Sequence, residues 1–265
     1  MKKIITTLAA VIIITALTVT ALAAPKEGTS LFVSICDEEG KLALALEEIM
    51  VTDSDNDGKL TVNDALFCAH QAKYPGGADA GYKTEMTQYG LSLTKLWGAD
   101  QGNAFGYYLN DGSAMSLTDE VKENDRICAF AYTDLNTFSD KYSFFNVTKL
   151  TVKENESVEI TLNALSYDAD FNLVTLPVKD ALITVDGIAT KIETDSEGKA
   201  SIKLDKAGKY LISATSAEET LVPPALILEI EKEELSAPVT ADPSAIALFA
   251  LLGSLLAARA LKNEK

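Results

Sequence analysis

Apolar and polar positions change their rhythm along this chain, and the change divides it. Leu31–Cys36 is a continuous apolar run, and Leu42, Leu44 and Leu46 alternate with small or polar residues after a Glu39-Gly40 turn, which predicts a hairpin. Val62–Tyr74 has helical spacing, with Thr61 or Asn63 at its start and Pro75-Gly76-Gly77 to stop it. A second short helix is expected around Glu85–Tyr89. Phe105–Leu109 reads as an aromatic strand ending in Asn110-Asp111-Gly112, Ile127–Tyr132 as another, and Tyr142–Phe145 as the strand that closes the region. From Lys149 to Ile230 the pattern is uniformly β: Val158–Leu162, Leu182–Val185 and Ala200–Leu204 alternate between Gly-containing turns at the spacing of a sandwich.

The two ends carry a different signal. Lys2 and Lys3 precede an apolar run from Ile4 to Leu22, and Ala21-Leu22-Ala23 stands before Ala24-Pro25, the form of a secretory signal peptide over 1–24. Residues 244–261 are apolar apart from Ser244, Ser254 and Arg259, long enough to rise about 25 Å as a helix. A snorkelling Arg259 and a basic tail over 262–265 fit a transmembrane helix with its end in the cytoplasm. These features predict an exported protein held at the cell surface.

Charge narrows the partners. The 265-residue chain has 39 acidic and 23 basic residues; setting aside two acidic and five basic ones in the terminal segments leaves 37 and 18, near −19 for residues 25–236. Such acidity excludes nucleic acid as a natural partner and opposes adhesion to anionic lipid. Three cysteines leave at least one unpaired, and Cys36 and Cys128 lie in separate strand-like runs, so a pairing between them stays open. The single histidine, His70, falls on the predicted helix and reads as a helix-surface residue without a nucleophile motif to serve. No pair of carboxylates is set apart for acid–base work, so an enzyme is not expected.

One stretch has chemistry of its own. Asp53, Asp55 and Asp57 alternate, Gly58 takes the sixth position, and Asp64 closes a twelve-residue frame. That is the spacing of an EF-hand calcium loop: side-chain oxygens from Asp53, Asp55 and Asp57, the carbonyl of Lys59, Thr61 directly or through water, and Asp64 at the end. Four carboxylates in twelve residues repel one another unless a cation lies among them. A solvated Asp/Asn/Gly turn is the alternative, but a plain turn does not need oxygens at those positions with glycine at the sixth.

Beyond the loop, the runs ALFCAHQAKYPGG (Ala65–Gly77), LSLTKLWG (Leu91–Gly98), GYYLNDGSAMSL (Gly106–Leu117) and FAYTD (Phe130–Asp134) carry a resemblance. Residues 30–146 resemble an uncharacterised β-grasp domain of Gram-positive surface proteins, similar to the C-terminal domain of the cobalamin carriers transcobalamin and intrinsic factor. Bacterial members often hold an EF-hand-like segment where Asp53–Asp64 stands, and have Gly-Asp before the last strand, where this chain has Asn124-Asp125. The loop is also similar to half of a dockerin, but no second loop follows, which argues against a cohesin partner. TDSEGKASIKLDKAGKYLISA (Thr194–Ala214) looks like bacterial immunoglobulin-like repeats. Pro238-Val239-Thr240 before the apolar tail resembles a sortase signal, departing from it at Ala237 and Ala241.

The expected architecture is an α+β β-grasp head over 28–147 with the EF-hand-like insert at 53–74. An all-β immunoglobulin-like sandwich over 148–232 and a linker at 233–243 follow, before the transmembrane helix. The expected function is calcium-dependent binding or adhesion at the surface, toward a glycan, protein or small molecule. A non-binding structural stalk is the alternative, with corrinoid capture a weaker third because the helical partner domain of the carriers is missing. Trp97, Phe105, Tyr107, Tyr108, Tyr132 and Tyr142 form either a ligand platform or strand-face packing; adjacent Tyr107 and Tyr108 must point to opposite faces.

Overall fold

The computed structural model describes residues 28–232. The expected signal peptide, the linker, the anchor helix and the basic tail lie outside them; no helix among the described residues is long and apolar enough to cross a membrane. The described chain is mostly β.

The first unit begins with β1 (Thr29–Cys36) and β2 (Leu42–Val51), antiparallel and bulged near Ser34. There Leu46 takes a left-handed φ of 51° and its N–H donates to Ser34 Oγ at 3.0 Å. Helices α1 (Val62–Lys73) and α2 (Gly77–Gly81) follow, then β3 (Lys83–Thr87), β4 (Gly90–Lys95), β5 (Phe105–Leu109), the two-residue β6 (Gly112–Ser113) and β7 (Arg126–Ala131). The sheet runs β2-β1-β7-β5-β6, with β1 and β7 parallel at its centre and the other pairs antiparallel. Helix α1 lies across one face, where Leu66, Ala65 and Ala69 close on Leu31, Val33, Ile127 and Ala129.

Residues 85–89 are not the short helix expected of them. They form β3 and its turn, with Glu85 opposite Ser92 and Met86 opposite Leu91, because Thr84 and Thr87 favour the pleat and Gly90 turns the chain at φ 106°. Asn124 stands at φ 65° where a glycine would be at ease, an excursion asparagine tolerates. Asp125 then locks the turn, accepting from Lys122 N–H at 2.9 Å and from the Asn110 amide at 2.8 Å.

The second unit is two five-stranded sheets. Strands β8 (Lys141–Phe145), β10 (Ser157–Tyr167), β11 (Leu173–Pro177), β14 (Lys199–Lys203) and β16 (Leu221–Val222) make one; β9 (Lys149–Lys153), β12 (Leu182–Val185), β13 (Ile188–Glu193), β15 (Gly208–Thr215) and β17 (Leu226–Glu231) make the other. Between them lie Ile160, Leu162, Ile183, Ile202, Ile212 and Leu228, all buried. Strand β8 was expected to close the first unit, yet it pairs with β10 and β16. Its residues explain the placement: Phe145 enters the second core while Tyr142 turns to the first sheet, so β8 is covered on both faces.

That makes β8 a seam. Tyr142 stacks on Tyr108 with centroids 4.1 Å apart, and Cys36, Phe130, Leu165 and Val222 complete a small apolar core between the units. Tyr107 and Tyr108 do face opposite ways, the first against the helix-side core and the second into the seam. Cys36, Cys68 and Cys128 are free thiols. A hydrogen bond with Cys128, and then burial, raises the Cys36 thiol well above its ordinary range.

Candidate metal centre

The loop between β2 and α1 is set by the helix it enters. Thr61 caps α1: its Oγ1 accepts from Asp64 N–H at 3.3 Å, and Asp64 Oδ2 accepts from Thr61 N–H at 3.0 Å, a reciprocal capping box. Asp64 reaches further. Its Oδ1 accepts from the N–H and Oγ of Ser54 at 2.7 and 2.6 Å, and its Oδ2 also from Thr61 Oγ1 at 2.7 Å. A wholly buried carboxylate thus ties the start of the loop to its end.

Around that latch the chain turns tightly. Asn56 and Gly58 take φ of 65° and 89°. Asp53 accepts from the N–H groups of Asp57 and Gly58, both at 3.2 Å, and Asp57 from Lys59 N–H at 2.8 Å. The result gathers three carboxylates: oxygens of Asp53, Asp55 and Asp57 all lie within 4.8 Å of one another. Partial desolvation and then the charges of Asp64, Asp57 and Asp53 lift Asp55 above the ordinary carboxylate range. Like charges this close oppose ionisation in the absence of a counter-ion.

Of the residues expected to ligate, Asp53, Asp55 and Asp57 are together. Thr61 and Asp64 are engaged with each other, and Asp64 also with Ser54. The Lys59 side chain points away to Glu120 at 2.7 Å, leaving its main chain to the loop. Three carboxylates gathered this way offer hard oxygen donors that could hold a metal cation. The latch role of Ser54 and the Glu120 partner escaped the sequence reading, although T-x-x-D at Thr61–Asp64 is a legible capping signal.

The loop's exit is wired to a neighbouring strand of chain. Val121 N–H donates to Leu60 O, Val62 N–H to Asp119 O and Asn63 N–H to Leu117 O, at 2.8–3.0 Å. Just before Leu117, Met115 and Ser116 form one wall of a groove of about 230 Å³, whose other walls include Tyr89, Leu91, Phe105 and Tyr107, with Asn103 and Ser92 among its polar groups. Tyr89 and Met115 are 90% and 88% exposed. Phe105 belongs to the core as well as to the groove wall, while Trp97, Tyr132 and Tyr142 are packed against other rings or the cores.

His70 is not on the helix surface as expected but wholly buried. Its Nδ1–H donates to Leu66 O at 2.6 Å, its Nε2 accepts from Trp97 N–H at 2.9 Å, and the rings of Tyr82 and Trp97 stand 4.9 and 5.2 Å away. The helical phase alone misplaced it, because the rings that cover it come from later in the chain, Tyr82 after α2 and Trp97 after β4. Burial, opposed by the Leu66 carbonyl, lowers its pKa to about 4. The folded pKa is therefore below the unfolded value near 6.5. Stability is full above that pH, falls as pH drops toward 4, and flattens below; the loss approaches about 3 kcal/mol. Urea midpoints of the wild type and His70→Gln over this range check it: the variant should show a shallower fall.

No known family description matches the chain, and no curated protein matches it. Among solved structures a match is the N-terminal four immunoglobulin domains of Dscam1 isoform 9.44, at 14% identity and TM-score 0.21. It covers 57% of this chain and 32% of that one, so the chain spans about a third of that structure's length. So low a score leaves the fold description to the strands themselves.

Proposed function

We propose that the chain is a calcium-dependent binding protein of the cell surface, exported by residues 1–24 and retained by residues 244–261. The observation that carries this reading is the gathering of Asp53, Asp55 and Asp57 over a latched turn at the entrance to α1. Three ionised groups held that close are compensated by a divalent cation, and an exterior rich in calcium supplies one.

In this reading the first unit is a β-grasp head, supported by the β2-β1-β7-β5 order with a parallel central pair and α1 across one face. The second is an immunoglobulin-like spacer, supported by its two facing sheets. Thr240 is the proposed site of any sortase processing. The groove beside Tyr89 and Met115 is the proposed ligand surface. Its aromatic and hydroxyl lining favours a glycan or another small amphipathic molecule, and its exposure favours a binding head over a featureless stalk.

Calcium reaches the groove through the backbone bonds from Leu60–Asn63 to Leu117–Val121. Hydrogen exchange tests this on the full chain with calcium and with chelator. Calcium should slow exchange at Leu117–Val121 as well as in the loop. Protection confined to residues 53–59 would separate metal from groove and remove the calcium-dependent part of the proposal.

A further inference from the structure

Both walls of the groove beside Tyr89 and Met115 are held by hydrogen bonds of their own. Tyr89 stands at the tip of the β3–β4 hairpin, where its N–H donates to Thr87 Oγ1 at 3.1 Å. Thr87 Oγ1 in turn donates to Gly90 O at 2.9 Å, which closes the tip. On the opposite wall the N–H groups of Met115 and Ser116 donate to Asp119 Oδ2 at 2.7 and 3.2 Å. The Tyr89 ring meets no other ring among the described residues and lies almost wholly in water. A large ring exposed on a pinned turn is already organised to be covered.

Charge narrows what can cover it. Charged residues make up 23% of the chain, yet none lines this groove. An anion would find no cation there and would meet the field of a chain at −16. Asp119 adds to that field: after burial, its charge is what raises the nearby Tyr107 hydroxyl above its ordinary range. An ammonium group would find no carboxylate in the lining to replace its water. A wholly apolar ligand would strip water from Ser92, Asn103 and Ser116 and offer nothing in its place. What fits is uncharged, with an apolar face and a polar rim. At about 230 Å³ the groove is smaller than the roughly 300–1,000 Å³ of sites for drug-sized ligands, so it suits a single ring.

We propose that the groove takes one uncharged hexopyranose ring of a glycan, stacked on Tyr89; the inference rests on this groove being the ligand surface. The axial C–H bonds of a pyranose form an apolar, electropositive face, which suits the negative face of a tyrosine ring. The hydroxyls at its rim both donate and accept, as the side chains of Ser92, Asn103 and Ser116 do. Met115 brings a flexible thioether to the ring from the opposite wall. Selection by charge follows: the site accepts neutral sugars and turns away uronic and other acidic ones.

Saturation-transfer NMR titrations of the full chain with calcium test this, in a detergent whose headgroup is not a sugar. The neutral probes are the methyl glycosides of glucose, galactose and mannose; the charged probes are the matching uronic acids and, in mildly acidic buffer, the matching amino sugars. The best neutral glycoside should bind at least about tenfold more tightly than its uronic acid and no more weakly than its amino sugar. Tyr89→Ala should weaken it by at least about tenfold, with circular dichroism confirming that the variant is folded. If no probe binds, the groove fails as the ligand surface and the inference falls with it. A uronic acid that binds as tightly, or an amino sugar that binds more tightly, leaves the groove as a site but overturns the uncharged sugar. Neutral-sugar binding that survives Tyr89→Ala overturns the inference by placing the sugar elsewhere.

Discussion

Asp64→Ala is expected to lose about 3–5 kcal/mol of stability whether calcium or chelator is present. The substitution strips acceptors from Ser54 N–H, Ser54 Oγ, Thr61 N–H and Thr61 Oγ1 at once, the Thr61 pair in a buried setting and the Ser54 pair in a half-buried one, and it breaks the cap of α1. Asp55→Asn should behave in the opposite way. It removes one of three mutually repelling groups, so the metal-free protein should be as stable as before or more so, while its response to calcium disappears. Because the Asp55 pKa is raised in the folded chain, its ionisation costs stability as pH rises through the carboxylate range, and that cost vanishes in the amide. Urea unfolding of both variants in each condition separates the two roles. An Asp64→Ala protein of normal metal-free stability that fails only to respond to calcium would make Asp64 a ligand and not a latch.

Phe130→Ala should cost a similar amount, about 3–5 kcal/mol, by leaving a cavity at the seam. The ring lies over Gly106, its cross-strand partner, and beside Tyr108 and Tyr132. A Cβ on Gly106 would fall 2.2 Å from the ring, so this glycine is what lets the phenyl group cross β5. The seam joins the units through Tyr142 and Leu165, so the variant should also divide a shared thermal transition into two. Scanning calorimetry reads both effects. A single transition at the wild-type temperature would mean that the seam contributes little.

Periodicity in the sequence was enough for the strand–strand–helix opening, because Leu31–Cys36 is an apolar run, Leu42–Leu46 alternates as a half-buried strand after the Gly40 turn, and Val62–Tyr74 buries one stripe. It was enough for the loop as well, since Asp53, Asp55 and Asp57 are neighbours in the chain and a turn at Gly58 brings them together. What it could not give was anything decided by distant partners. His70 is hidden by Tyr82 and Trp97, and β8 is claimed on one side by β16, far along the chain; residues 85–89 are a local case, a hairpin that Gly90 closes with Leu91–Ser92 opposite. The aromatic residues show the same limit: composition marks a platform and a core alike, and only packing distinguished Tyr89, in water, from Tyr108 and Tyr142, stacked in the seam.

Whether Asp53, Asp55 and Asp57 hold calcium decides the proposed function. The direct measurement is thermal unfolding of the full chain with calcium and with chelator, beside Asp55→Asn. A site that binds only the folded protein predicts a melting temperature that climbs with calcium concentration in the wild type and stays fixed in the variant. A wild-type melting temperature that ignores calcium, or a variant that responds as the wild type does, would contradict the assignment.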